Sequence, residues 1–350
     1  MTAHADTIFT NHERPAWLTD FTPRRFLSNG HLQTIFGNYL PRQNTLPPPE
    51  AELVEVEPAT SDNIASQVLC HSHWQPLEVR AARTTVILLH GLEGSSNSQY
   101  IVGNANKLFR TGCNVVRMNM RNCGGTEALT PTLYHSGRSG DVLAVAKHFI
   151  RTQGLKKIAL AGYSMGGNMV LKCAGELGNS GPPEICAAIG VSPAIDLAAS
   201  ADALHDLPNR IYELRFLRGL MRRLERKAAL FPHIYTTHDL PSVRSIRAFD
   251  DHIQSRYSGF QSADDYYHRA AAARVIGSIA IPTLILHALD DPFIRLTPET
   301  RADLAANTHI TFVETQHGGH CAFLAQPTPA NDGYWAERTL LHFLAATLHI

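Results

Sequence analysis

Six short apolar runs punctuate the chain without strict alternation: TTVILLHG (84–91), NVVRMNM (114–120), KKIALAGYS (156–164), ICAAIGVS (185–192), IPTLILHA (281–288) and HITFVET (309–315). Runs of this kind suit strands covered on both faces, as in a parallel sheet. Between most of them, apolar residues recur at helical spacing: 100–111, 140–153, 166–177 and 298–306, with a last helix over 334–348. Alternating strands and helices predict a mostly parallel, doubly wound α/β sheet flanked by helices. Two earlier segments read differently. Residues 52–57 (ELVEVE) alternate polar and apolar, and a similar run near 65–70 follows Ser61-Asp62-Asn63. They predict an antiparallel pair at a sheet edge, for about eight strands in all.

Residues 197–273 break this rhythm. They lie between two sheet strands yet hold no convincing strand, and they are rich in Arg, Leu and aromatics. An insertion of that size predicts a helical cap over the sheet. Four prolines within 41–49 mark an extended connection after an N-terminal arm. The expected organisation is an arm, 1–50, packing on the core; an α/β core, 51–196 and 274–350; and the cap, 197–273. Within the cap, Ile211, Leu214, Leu217, Leu220, Met221 and Leu224 recur at helical spacing among Arg215, Arg218, Arg222, Arg223, Arg226 and Lys227. The first reading is a cap helix with a solvated basic face. Peripheral contact with an anionic membrane is the other.

Composition narrows the classes. The 350 residues are 44% hydrophobic, enough to bury a large core without disulfides or metals. Lys+Arg and Asp+Glu are 31 each, so no overall field favours nucleic acid, and no obligate partner is expected. Six scattered cysteines form no CxxC pair and read as reduced thiols of a cytoplasmic protein. No secretory signal and no transmembrane run of 18 apolar residues is legible. The tightest histidine clusters, His71-Ser72-His73 and His317 to His320, lack an HExxH helix. With no GxGxxG after the first strand and no P-loop, no metal or other cofactor is expected.

Gly162-Tyr163-Ser164-Met165-Gly166 has the form GxSxG and stands between an apolar strand and the helical run NMVLKCAGEL. A strand that turns at once into a helix needs small residues two before and two after the turn. The turn lifts the serine hydroxyl clear at the carboxyl edge of the sheet. The helix N-terminus favours negative charge developing nearby. A serine hydroxyl is a weak nucleophile until a base takes its proton. The base belongs on the loop after the last strand, Gln316-His317-Gly318-Gly319-His320. His320 is favoured, because the Gly-Gly pair lets the loop turn back over Ser164; His317 is the alternative. The acid belongs after the preceding strand, where Asp290 and Asp291 precede Pro292. It would fix the imidazole tautomer. Asp291 is favoured and Asp290 held in reserve. The tetrahedral intermediate needs backbone donors: Met165 N–H, after the serine, and Leu92 N–H, in the loop His90-Gly91-Leu92-Glu93-Gly94. The expectation is a serine hydrolase of the α/β-hydrolase fold with the triad Ser164, Asp291 and His320.

With those residues in place, the chain resembles the YheT-like esterase family of α/β-hydrolases, related to the animal ABHD1/2/3-type hydrolases. The resemblance rests on FTPRRFLSNGHLQTI (21–35), HGLEGSSNSQY (90–100), MRNCGG (120–125) and Tyr134-His135-Ser136-Gly137 with Asp141. It continues through GYSMGGN (162–168), LDDPF (289–293) and HGGHCAF (317–323). It implies esterase-like activity on small-molecule acyl esters through an acyl-enzyme, with acylglycerol lipase as one form. The animal members carry an N-terminal membrane anchor; no such segment is legible here, so lipid substrates do not follow from the resemblance. A thioesterase, amidase or acyltransferase would share the triad. A non-catalytic binding protein on a hydrolase scaffold is the reading from another class.

Overall fold

A computed structural model describes residues 7–9, 12–329 and 331–350. Its strands are β1 Thr7–Phe9, β2 Glu50–Glu57, β3 Ser66–His73, β4 Thr85–Leu89, β5 Asn114–Met118, β6 Ile158–Tyr163, β7 Ile185–Val191, β8 Thr283–Ala288 and β9 Ile310–Thr315. They form one sheet in the order β1-β9-β8-β7-β6-β4-β5-β3-β2. Pairing is parallel from β9 through β8, β7, β6 and β4 to β5. It is antiparallel for β2–β3, β3–β5 and β1–β9. The eight strands read from the sequence are all present. The ninth, β1, lies in the N-terminal arm; three residues are too short a run to show a period.

The missing alternation has a direct cause. In β4, Val86 and Leu88 enter one core while Ile87 and Leu89 enter the other. In β8, Leu284 and Leu286 face the first core and Ile285 the second. One layer is built from the helices Gln99–Arg110 and Trp335–Leu348, through Ile101, Leu108, Leu340 and Phe343. The opposite layer uses Ser139–Gln153 and Met165–Leu177, through Val145, Phe149, Met169 and Leu171. Edge strand β2 is covered on one side only, and there the sequence alternates.

Residues 197–279 carry helices and turns but no strand: Leu197–His205, Arg210–Leu230, a π-helical turn at Asp250–Gln254, and Ala263–Ala270. The long Arg210–Leu230 helix buries Leu217, Leu220 and Leu224, as an apolar face should. Arg215, Arg218 and Arg222 are exposed, but Arg223 and Lys227 are buried. Arg223 Nε donates to Glu93 Oε1 at 3.0 Å, and Lys227 Nζ donates to the Glu127 carbonyl at 3.1 Å. A solvated basic face is therefore only part of the truth, because two of its cations hold the helix to loops after β4 and β5.

In the arm, the helix Gly30–Tyr39 is capped by Asn29, whose Oδ1 accepts from His31 N at 3.0 Å and Leu32 N at 3.2 Å. Among the described residues, no helix is long and apolar enough to cross a membrane. The register aligns Leu89 with Gly162, Tyr163 with Val191 and Ala288 with Thr315. The carboxyl ends of these strands therefore share one edge. Strand order reverses at β4, which has β5 on one side and β6 on the other. A crevice at such a switch point is where open α/β sheets bind ligands.

Candidate active site

Strand β6 ends at Tyr163 and the next helix begins at Met165, so Ser164 alone makes the turn. Its φ of 54° and ψ of −120° lie where L residues rarely go, at a cost of roughly 1–3 kcal/mol. Neighbouring contacts impose this backbone. Ser164 N donates to the Val191 carbonyl at 2.9 Å, and its own carbonyl accepts from Asn168 N at 3.1 Å and Ala194 N at 3.2 Å. The glycines are needed for room. A Cβ on Gly162 would stand 2.1 Å from the Gly166 carbonyl oxygen, and one on Gly166 would stand 2.3 Å from that of His90.

The loop after β4 comes equally close, since a Cβ on Gly91 would lie 3.0 Å from Ser164 Cβ. Gly91 N–H is taken by Tyr100 Oη at 3.0 Å. Among the described residues, the next N–H, Leu92, makes no hydrogen bond, and neither does Met165 N–H. Leu92, Met165 and Ser164 line one cavity under the cap. His90 fixes this loop, a role its motif alone does not reveal. It is fully buried, its Nε2 accepts from Met120 N at 3.1 Å, and its Nδ1 lies 2.8 Å from the Gly91 carbonyl. An accepting Nε2 puts the proton on Nδ1, so the ring is neutral. Burial, which pushes its pKa down to about 4, agrees.

In the loop after β9, His320 Nδ1 lies 2.8 Å from Asp291 Oδ2. Asp291 Oδ1 accepts from Phe293 N at 3.1 Å and Ile294 N at 2.9 Å. Burial opposes its charge, but the His320 imidazole and these donors prevail and hold the carboxyl below its ordinary range. The neighbouring Asp290 does different work. Its Oδ1 accepts from Gly319 N at 2.8 Å, and its Oδ2 lies 3.5 Å from His317 Nδ1. The two aspartates thus separate: Asp291 meets His320, and Asp290 braces the loop through Gly319 N–H.

Both glycines of that loop are required. Gly319 has φ 58° with Gly30 O only 2.4 Å from where a Cβ would be, and a Cβ on Gly318 would lie 2.7 Å from the Phe323 ring. The loop then docks on β7, where Cys321 N donates to Ser192 Oγ at 3.0 Å, one residue beyond the carbonyl that holds Ser164 N. His320 Nε2 lies 3.5 Å from Cys321 Sγ, and the Phe293 ring, which also lines the Ser164 cavity, lies 4.4 Å from the His320 ring. Among the described residues, Ser164 Oγ and His320 share no hydrogen bond. That bond often tightens only once substrate is present.

Sequence motifs beside the site resolve into separate roles. Arg121 is buried and pairs with Asp141 through Nε–Oδ2 at 2.7 Å and Nη2–Oδ1 at 2.6 Å, a structural clamp. Tyr134 Oη donates to Glu93 Oε1 at 2.5 Å, and Tyr134, His135 and Ser136 line the cavity. The cavity's walls are otherwise mostly apolar: Leu197, Leu204, Phe216, Leu220, Ile246 and Phe293 contribute.

The family model described as alpha/beta hydrolase fold matches residues 84–327. "Putative esterase YheT" of Escherichia coli (strain K12) is 32% identical over 340 residues, covering 94% of each chain. Monoacylglycerol lipase of Saccharomyces cerevisiae is 26% identical over 300 residues, covering 82% of this chain and 65% of that one. Among solved structures, the esterase Pf2001 of Pyrococcus furiosus superposes with a TM-score of 0.52 at 16% identity, covering 87% of this chain and 99% of that chain. That last likeness is one of fold.

Proposed function

The chain belongs to the α/β-hydrolase family, and on that footing we propose that it is a serine esterase working through Ser164, Asp291 and His320. It is an α/β-hydrolase of the esterase and lipase type. The observation that carries the finer reading is the 2.8 Å contact of His320 Nδ1 with Asp291 Oδ2, in a chain whose Ser164 stands alone at a strand-to-helix turn.

The chemistry follows from the donors and acceptors. Asp291 accepts the Nδ1 proton, which leaves Nε2 as the base. As Ser164 Oγ attacks the ester carbonyl carbon, Nε2 takes its proton and the carbonyl electron pair moves to oxygen. The Leu92 and Met165 N–H groups hold that oxyanion. Collapse breaks the carbon–oxygen bond, and the leaving alcohol takes the proton from Nε2. Water then attacks the acyl-enzyme with the same histidine as base, which releases the acid and restores Ser164. Two relatives, the "Putative esterase YheT" and the yeast monoacylglycerol lipase, support a carboxylic ester over a thioester, an amide or transfer to another acceptor.

A fluorophosphonate probe tests the nucleophile. It should label the native protein and not Ser164→Ala, and p-nitrophenyl esters should be hydrolysed by the native protein alone. Failure to label the native protein, or labelling that survives Ser164→Ala, overturns the proposal and leaves a binding protein on a hydrolase scaffold.

The proposal includes peripheral contact with an anionic membrane. It is supported by Ile211, 70% exposed, on the same helix as the exposed Arg215, Arg218 and Arg222. Co-sedimentation with phosphatidylglycerol vesicles should occur and weaken in Arg215→Glu/Arg218→Glu; no binding to those vesicles overturns this part.

A further inference from the structure

The cavity that holds Ser164 has a polar part that ester hydrolysis does not use. Asp250 and Gln254, four residues apart on the π-helical turn of the cap, line it together with Tyr266, Tyr267 and His135. These residues form one contiguous group. The His135 ring meets Tyr266 edge-on at 5.8 Å, and the Tyr266 and Tyr267 rings lie 5.2 Å apart. Tyr267 Oη then donates to Asp250 Oδ2 at 2.7 Å.

The hydrogen bonds leave specific vacancies. Among the described residues, Asp250 Oδ1 has no hydrogen-bond partner and no cation pairs with Asp250. The nearby Arg247 is engaged outside, with Asp202 and Asp264. His135 Nδ1 accepts from Gly137 N at 3.1 Å, so a neutral ring carries its proton on Nε2. The ring is neutral because burial and surrounding arginines push its pKa well down. Tyr266 Oη accepts from Ser136 N at 3.1 Å and also meets the Ser136 side chain, which can donate to it and leave the phenol proton for a ligand. Burial raises the Asp250 pKa to about 7, as expected of a carboxyl held out of water with a single hydroxyl partner.

An acceptor at Asp250 stands with donors on His135 and Tyr266 in a cavity whose remaining walls are largely apolar. A plain hydrocarbon would leave all three unpaired, and an unpaired buried polar group is costly. A hydroxyl matches them, because it donates one hydrogen bond and accepts others. A protonated amine offers only donors, so it could meet Asp250 but not the His135 and Tyr266 donors.

We propose that Asp250, with His135 and Tyr266, forms a subsite for a hydroxyl group that the substrate carries away from its ester. This rests on the esterase reading above. The hydroxyl could sit on either side of the ester bond, on the acyl chain or on the alcohol, and the two arms of the test separate these sources.

Two matched pairs are compared by kcat/KM per fluorophosphonate-titrated active site. One pair is p-nitrophenyl 6-hydroxyhexanoate against p-nitrophenyl hexanoate; the other is 3-hydroxypropyl hexanoate against propyl hexanoate. One pair should show a hydroxyl preference of about tenfold or more. That preference should fall toward unity in Asp250→Ala and shrink in Tyr267→Phe, while probe labelling persists. Because each ratio compares two substrates on one protein, a partly unfolded variant leaves it unchanged. Equal rates within both pairs, or a preference untouched by Asp250→Ala, overturn the subsite while leaving the esterase reading standing. A 6-amino analogue that outperforms the 6-hydroxy ester also overturns it. A native protein that neither labels nor turns over any of the four esters overturns the esterase reading itself.

Discussion

Thr34, in the N-terminal arm, accepts a hydrogen bond on its Oγ1 from the His320 backbone N–H at 2.8 Å. The same hydroxyl donates to the Gly30 carbonyl at 2.7 Å. The two residues are 286 apart in the chain, so the arm reaches across the sheet edge to hold the loop that carries the proposed base. The stretch containing Thr34 is thereby a positioning element and not merely a cover.

Thr34→Val keeps the shape and removes both hydrogen bonds. Each is worth about 0.5–1.5 kcal/mol, so kcat/KM should fall roughly three- to tenfold. Thr34→Ser should recover most of the loss. Steady-state kinetics on one p-nitrophenyl ester check this; an unchanged kcat/KM for Thr34→Val would show that the loop holds its place unaided.

Asp291→Asn should lower kcat by about 10⁴, because an amide in that place favours the wrong imidazole tautomer. Asp290→Asn keeps an oxygen for Gly319 N–H and should cost less than about tenfold. The measurement is kcat for both variants side by side. The opposite order would transfer the acid's role to Asp290.

The pH profile gives a third expectation. Burial disfavours a charged His320, but Cys321 and the Asp291 carboxylate beside it more than offset this and raise its pKa above the ordinary imidazole value. A base must be unprotonated to act, so activity rises only as pH passes that raised pKa. The acid limb of kcat/KM should therefore lie above pH ~6.5 and move to lower pH in Asp291→Asn. A native limb below pH ~6 contradicts the assignment.

Gly166→Ala should destabilise the fold as well as the site. Its Cβ would stand 2.3 Å from the His90 carbonyl oxygen and 2.7 Å from that of Leu89, both rigid backbone. The expected loss is about 3 kcal/mol or more, read from urea or thermal unfolding. An unfolding midpoint within error of the native protein would mean that β4 can yield there.

The parallel strands and their helices were legible because each strand had to be apolar on two faces. Val86 through Leu89 serve two cores at once and so lose the alternation that edge strand β2 keeps. Ser164 and the His317–His320 loop were legible because tight turns constrain residue type locally. What escaped the sequence was long-range pairing. Arg223 and Lys227 have the spacing of a solvated face, and only the folded chain brings Glu93 and Glu127 against that helix. Asp290 and Asp291 are adjacent and chemically identical, so only the folded geometry separates their partners. His90 reads in the sequence as part of a glycine turn, since nothing local reveals that Met120 N meets it.

Glu93 has one further consequence. It adjoins Leu92 and receives both Tyr134 Oη and Arg223 from the cap helix, while Arg223 also donates to the Asn122 carbonyl. Cap helix and the proposed oxyanion strap thus share a single carboxylate. A substitution such as Glu93→Gln would take the charge away from both together, so a change aimed at the roof would be felt beside Leu92 as well.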